Sequence, residues 1–242
     1  MARICPFCSE TVDSDEHVTA KWVSDHFLAR GGGEGNFTMT FGDLYPQRTA
    51  KKMNQIVRVC HTCNSGWMSR LEARFRPALI AMSEGNQFHI GPNGQKTIAR
   101  WLIKSSLTAE LTTPKDSLLR VSTREQRLSV HDGQIPAGWR TAIGAYEGSG
   151  SNLEHHFSNV TQLVTDDGES LGYTILHTLR LESFVGQVLI HSMSINPELK
   201  HLLGGPTFGL EIPQQEIVFW PPPGILNEKT IKKVLNLTSV SQ

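Results

Sequence analysis

Two segments of the chain carry the three- and four-residue spacing of apolar side chains that is typical of amphipathic helices. The first begins after residue 64, and its apolar positions are Trp67, Met68, Leu71 and Phe75. The second covers residues 95–111. Because proline lacks the backbone N–H that a helix interior needs, Pro77 is expected to interrupt the first helix.

Alternating apolar runs predict strands on both sides of these helices. Residues 55–59 form a short run that leads into Cys60. Four longer runs follow in the second half, at 139–146, 157–165, 173–181 and 184–191. A last short helix is expected over 228–235, after a proline-rich stop. The pattern predicts an α+β fold in which helices precede a mainly antiparallel β region.

The balance of charges narrows the classes of partner. The chain has 23 Lys plus Arg and 23 Asp plus Glu, so its formal net charge is zero. That balance argues against a polybasic nucleic-acid binder, whose affinity comes from neutralised phosphates. Residues 1–77 hold ten basic and eight acidic side chains, so any DNA affinity there must come from the placement of charge.

The sequence predicts a cytoplasmic protein with reduced thiols. Its first residues reach a cysteine pair without the apolar core of a signal peptide. No apolar run approaches the roughly 20 residues that span a bilayer. We therefore expect no membrane association. We also expect no small-molecule organic cofactor. In a reducing compartment, paired cysteines are more often metal ligands than disulfides.

The four cysteines form two Cys-x-x-Cys pairs, Cys5 with Cys8 and Cys60 with Cys63. Each pair can present two thiolates to one ion, and two pairs complete a tetrahedron around Zn²⁺. A redox pair and four unrelated buried cysteines are the alternatives, but two identical spacings with no cysteine left over favour zinc. Four sulfur ligands leave no open coordination position, so we expect this Zn²⁺ to be structural.

The residues around the cysteine pairs resemble the ββα-metal module of HNH endonucleases. The resemblance covers residues 3 to about 76, and it depends on both pairs together with Glu16-His17-Val18 and Asn64. The chain is also similar to an uncharacterised bacterial HNH-type subgroup, through Trp22 and the run Gly66-Trp67-Met68-Ser69. The resemblance implies two strands and one helix around a single divalent metal, with the zinc ligands at the ends of that unit.

The resemblance also implies roles for individual residues. Glu16 and Asn64 would bind a catalytic Mg²⁺ or Mn²⁺, since hard cations prefer oxygen ligands, and His17 would be the general base. Asn54 or Gln55 would orient the imidazole. The residues alone leave open that Glu16 is a solvated acid, His17 a hydrogen-bonded turn residue and Asn64 the N-cap of the helix.

Four basic residues could hold DNA phosphates on either side of the cut. They are Lys51 and Lys52, before the strand, and Arg70 and Arg74, four apart on the helix. The alternative is that these side chains are solvated, with Arg70 and Arg74 pairing with Glu72 or other acids.

Two functions from different classes follow. The first is a metal-dependent DNA endonuclease, such as a nicking or phage-defence enzyme. In it, residues 1–77 form the HNH-like zinc module that cuts, and residues 78–242 form an α+β domain for substrate recognition or assembly. The second is a catalytically silent zinc-stabilised module that binds nucleic acid or protein, because cysteines needed for folding can outlive catalytic residues.

Overall fold

A computed structural model describes residues 3–30, 37–41, 45–50, 55–115, 117, 119–147, 154–164, 170–192, 210–213 and 216–222. The helices in these ranges are α1 (Lys21–Arg30), a π-helical segment (Thr62–Met68), α2 (Ser69–Ser83), α3 (Pro92–Leu111) and α4 (Arg124–His131). None of the described helices combines the length and the hydropathy that crossing a bilayer requires.

The strands form one large sheet and two small ones. The described strands are β1 (Ser14–His17), β2 (Phe37–Phe41), β3 (Tyr45–Ala50), β4 (Ile56–Val59), β5 (Phe88–Ile90), β6 (Arg140–Ala145), β7 (Glu154–Val164), β8 (Ser170–Leu181), β9 (Phe184–His191), β10 (Leu210–Ile212) and β11 (Val218–Trp220). The large sheet has the order β10-β6-β9-β8-β7-β2-β3, and the small sheets are β1-β4 and β11-β5. All the described pairings are antiparallel except β2 with β7.

Helix α3 lies at the centre of the described core. Every side chain from Ile98 to Glu110 except Arg100 is buried, and the helix contacts α2 and strands β6 and β9. Gly186 on β9 permits the close packing, because a Cβ at this position would collide with Leu102. Charged residues on such a buried helix need partners from other elements.

The structure confirms the α+β class and most of the predicted elements. The four predicted strands of the second half correspond to β6, β7, β8 and β9, and the predicted helix over 95–111 corresponds to α3. The expectation for Pro77 is wrong, because α2 continues through it. The predicted helix over 228–235 lies outside the described residues.

The segment between the cysteine pairs contributes to the large sheet. Strands β2 and β3 pair with each other, and β2 also pairs with β7. Helix α2 continues past residue 77, where the sequence suggested a boundary between 1–77 and 78–242. That division stays a prediction, and contacts between described elements run across it.

Candidate functional site

The four cysteines come together as predicted. Their sulfur atoms all lie within 4.8 Å of one another, and the Sγ atoms of Cys8 and Cys60 are 3.3 Å apart. Tetrahedral zinc, with Zn–S bonds of about 2.3 Å, would need sulfur separations of roughly 3.8 Å. The donor set therefore fits such an ion, and the cluster could hold a metal such as zinc.

Backbone amides support the sulfur atoms. The N–H of Glu10 donates to the Sγ of Cys8 over 3.4 Å, and the N–H of Cys63 donates to the Sγ of Cys60 over 3.3 Å. Such outer contacts orient metal ligands and favour their charged form. The backbone of each cysteine pair is thus already arranged for thiolates.

The thiols influence one another strongly. A hydrogen bond with the Cys63 thiol lowers the pKa of Cys5 to about 5, and the same contact raises the pKa of Cys63. Burial raises the pKa of Cys60 to about 12. Four negative charges at this spacing would repel, so a bound dication would compensate them and release protons on binding.

Helix α4 holds the first cysteine pair from outside. Arg124 donates to the carbonyl oxygen of Cys8 over 3.1 Å, and Arg127 donates to that of Pro6 over 3.3 Å. Between them, Phe7 is fully buried and meets the Trp67 ring edge-on at 5.7 Å. These contacts connect the cysteine cluster to the second half of the chain.

Beside this cluster lies a cavity of about 480 Å³, here called the acidic cavity. It lies between strand β1, the start of α1 and the helices that follow Cys63. Its polar lining consists of Asp15, Glu16, His17, Lys21, Asp25, Asn64 and Glu72. The structure thus brings together Glu16, His17 and Asn64, the three residues to which the sequence assigned chemistry.

Asn64 connects the helix to β1. Its Nδ2 donates to the Oγ of Ser14 over 2.8 Å and to the carbonyl oxygen of Asp15 over 2.9 Å. The expectation that Asn64 caps the helix is wrong, because the cap position is His61, whose N–H donates to Asp13 over 2.6 Å. With the amide nitrogen engaged, the carbonyl oxygen is the atom of Asn64 that suits a cation.

Glu16 is buried rather than solvated, with an exposed fraction of 6%. Its Oε1 pairs with the Nζ of Lys104, which is fully buried and also lies 2.7 Å from the Oε1 of Glu72. Burial disfavours the Lys104 ammonium, but Glu72 and Glu16 outweigh it and raise the pKa of Lys104. Burial raises the pKa of Glu16; the Lys104 ammonium opposes this shift, and the neighbouring Glu72 carboxylate adds to it.

His17 ends strand β1, opposite Ile56 of β4, and is half-buried at the acidic cavity. Gln55 directly precedes β4, and its carbonyl oxygen accepts the N–H of Val18. The Oε1 of Gln55 is buried with no hydrogen-bond partner among the described residues, and Gln55 does not line the cavity. Its role in orienting His17 stays a prediction, and Asn54 lies outside the described residues.

Two of the predicted DNA-contact residues, Arg70 and Arg74, do not line the acidic cavity. Arg70 and Arg74 line a separate cavity of about 230 Å³. The suggested pairing with Glu72 is not made, because Glu72 binds Lys104. Lys51 and Lys52 lie outside the described residues.

The sequence analysis missed Lys104 and Glu72. A signal was present, because Lys104 occurs in a helix whose neighbouring positions are apolar or small. A lysine on such a helix is almost never fully buried unless it is paired. The sequence could therefore indicate a buried ion pair, although not its partners.

No protein-family model, curated protein or solved structure matches this chain.

Proposed function

We propose that this protein is a metal-dependent endonuclease that hydrolyses DNA phosphodiester bonds in the acidic cavity. One observation carries the proposal: Glu16 and His17, which follow the first cysteine pair, and Asn64, which follows the second, line one cavity. An acid and an amide can supply oxygen ligands to a divalent cation, and an imidazole can act as a general base, so these groups can serve metal-assisted phosphodiester hydrolysis.

His17 would act as the general base, taking a proton from the attacking water at a ring nitrogen. Its position at the cavity, next to buried Glu16, supports this role. Glu16 and the carbonyl oxygen of Asn64 would hold Mg²⁺ or Mn²⁺, with Asp15 and Glu72 close by. When bound, such an ion stabilises negative charge on the phosphate and on the leaving oxygen.

Lys104 would act as a positioning residue. Its ammonium group contacts one oxygen each of Glu16 and Glu72, so it orients both carboxylates. The second oxygen of each carboxylate remains for a cation. The cysteine cluster supports the same arrangement from the other side, since Asn64 directly follows Cys63.

A second candidate is a zinc-stabilised binding module without turnover. The ion pairs of Lys104 favour it, because this ammonium already supplies positive charge to Glu16 and Glu72. A cavity with internally compensated carboxylates can be stable without a second cation. The two candidates differ in whether the acidic cavity binds Mg²⁺ or Mn²⁺.

A plasmid assay tests the proposal. The purified protein is incubated with supercoiled plasmid and Mg²⁺ or Mn²⁺, beside His17→Ala and the control His89→Ala, which changes an exposed histidine on β5. We expect nicking by the parent and by the control, and a loss of at least about 100-fold in His17→Ala, the usual contribution of a general base.

Equal cleavage by the parent and His17→Ala would remove His17 from the mechanism. A parent that nicks no plasmid with either metal, while circular dichroism shows it folded, would favour the silent binding module.

A further inference from the structure

The second cavity, here called the arginine cavity, is lined by side chains from three helices. Helix α2 contributes Arg70 and Arg74, and α3 contributes Arg100. The end of α4 contributes His131 and Asp132. Its volume of about 230 Å³ is several times the roughly 30 Å³ that one water occupies in the liquid. A phosphate group would fit in this space.

Positive charge dominates the lining. The cavity has three arginines and one carboxylate, Asp132, and the latter is 2.8 Å from the Nδ1 of His131. Arg70 and Arg74 make no ion pair within the described part of the chain. Guanidinium groups without internal counterions, gathered around one cavity, suit an external anion.

Arg100 is held at the inner side of this cavity. It is half-buried, and its Nη2 donates to the carbonyl oxygen of Val130, at the end of α4, over 3.3 Å. Gly133 follows with a φ of +92°, which glycine adopts readily, and a Cβ there would approach the guanidinium to 3.7 Å. The end of α4 therefore orients the Arg100 guanidinium through a backbone carbonyl oxygen, which does not neutralise its charge.

Among the described residues, no acid forms an ion pair with Arg100. Burial lowers the pKa of Arg100, and the charge of Arg74 lowers it further. The Nε of Arg100 is buried with no hydrogen-bond partner among the described residues. An oxyanion between Arg74 and Arg100 would relieve both the repulsion and the unmet donor.

We infer that the arginine cavity binds a phosphate group through Arg70, Arg74 and Arg100. The phosphate comes either from a nucleic-acid strand or from a free phosphate ion, because both present the same oxygens to the guanidinium groups. The site is separate from the acidic cavity, so its occupancy does not depend on cleavage.

Binding measurements test this inference. Inorganic phosphate is titrated into the full-length zinc-loaded protein by calorimetry at low salt, and a fluorescent DNA duplex is titrated without added Mg²⁺ or Mn²⁺. The variants are Arg74→Gln and Arg100→Gln, with Arg76→Gln as the control. Arg76 is exposed on the same helix but lies over the Trp22 ring, at 5.2 Å, outside the arginine cavity.

We expect Arg74→Gln and Arg100→Gln each to weaken binding at least fivefold, and Arg76→Gln to leave inorganic phosphate affinity unchanged. If DNA affinity falls in the same two variants, the phosphate belongs to a nucleic acid. If only the affinity for inorganic phosphate falls, the ligand is the free ion. Arg74 is exposed, so Arg74→Gln should fold even if Arg100→Gln does not.

The inference is overturned if Arg74→Gln and Arg100→Gln bind both inorganic phosphate and the DNA duplex with the same affinity as Arg76→Gln. A parent that binds phosphate in this way but does not nick plasmid would contradict the proposed nuclease activity while leaving the phosphate site established.

Discussion

In each of the two cavities a lining side chain of α2 faces a charged side chain of α3, but the charges are arranged differently. In the acidic cavity, Glu72 of α2 meets Lys104 of α3, so opposite charges pair. In the arginine cavity, Arg74 of α2 faces Arg100 of α3, so like charges repel. In the acidic cavity, folding itself supplies a counterion to Glu16 and Glu72, whereas the arginine cavity gains its counterion from an anion in solution.

We expect the largest effect from Cys60→Ser, which should disrupt both cavities at once. Cys60→Ser removes one of four ligands at the junction between β4 and the π-helical segment, which leads into α2. Because binding energy in structural zinc sites is folding energy, we expect loss of bound zinc and unfolding of the cysteine region. Metal analysis and circular dichroism measure both.

The matched control for this variant is Ser65→Ala, an exposed position on the same segment that carries no sulfur ligand. A Cys60→Ser protein that keeps its zinc content and its unfolding transition would contradict a structural metal at these cysteines.

We expect a smaller loss of stability from Lys104→Met, which changes the charges beside the acidic cavity and leaves the arginine cavity intact. Lys104→Met leaves the buried carboxylate of Glu16 and the partly buried one of Glu72 without their counterion. Breaking a buried pair in this way costs about 3–5 kcal/mol in the free energy of unfolding. Urea unfolding measures it, and Lys96→Met, an exposed position on α3, is the control.

Lys104→Met also tests whether the acidic cavity can bind a divalent cation. If Glu16 and Glu72 can bind Mg²⁺, millimolar Mg²⁺ should restore part of the lost stability of Lys104→Met by mass action. Identical unfolding of the variant with and without Mg²⁺ would count against a divalent-metal site there.

Besides Lys104, helix α3 carries a second buried ionisable side chain, Glu110, which makes no ion pair with a lysine among the described residues. Glu110 accepts hydrogen bonds from the N–H and the Oγ of Ser122, over 2.7 and 2.8 Å. Burial raises its pKa from 4.5 to about 7, although Arg127 and Arg120 oppose the shift. The folded state therefore favours the protonated acid.

This shift predicts a pH dependence of stability. Because the pKa is higher in the folded state, the contribution of Glu110 is complete below pH 4.5 and is lost as the pH rises through about 7. The loss amounts to about 3 kcal/mol. We expect Glu110→Gln to flatten the parent's stability curve between those values, whereas the exposed control Glu147→Gln leaves it unchanged. Parallel curves for parent and Glu110→Gln would contradict the assignment.

Local patterns predicted the elements that depend on periodicity. The long apolar face of α3 and the alternating runs of β6 to β9 appear where they were expected. Helix α4 was missed because it is short and mostly polar. Its Thr123 and Gln126 form a capping box, a signal that the sequence did contain.

The candidate site was predictable only in part. Fixed spacings identified the cysteines, and the resemblance selected Glu16, His17 and Asn64 as residues that now line one cavity. The pairing of Glu16 with Lys104 could not be predicted, because it depends on how β1 packs against a helix far along the chain. The same holds for Arg100, which joins Arg74 only through the packing of α2 against α3.

The parallel pairing of β2 with β7 has a consequence for how this chain is made. Phe37, between the cysteine pairs, aligns with Glu154, beyond both pairs and α3. During synthesis the amino-terminal cysteines leave the ribosome early, but β2 has no neighbour on this side until β7 follows. Contacts between distant positions form slowly, so the nascent chain carries an exposed strand edge that invites association with other chains until its own second half arrives.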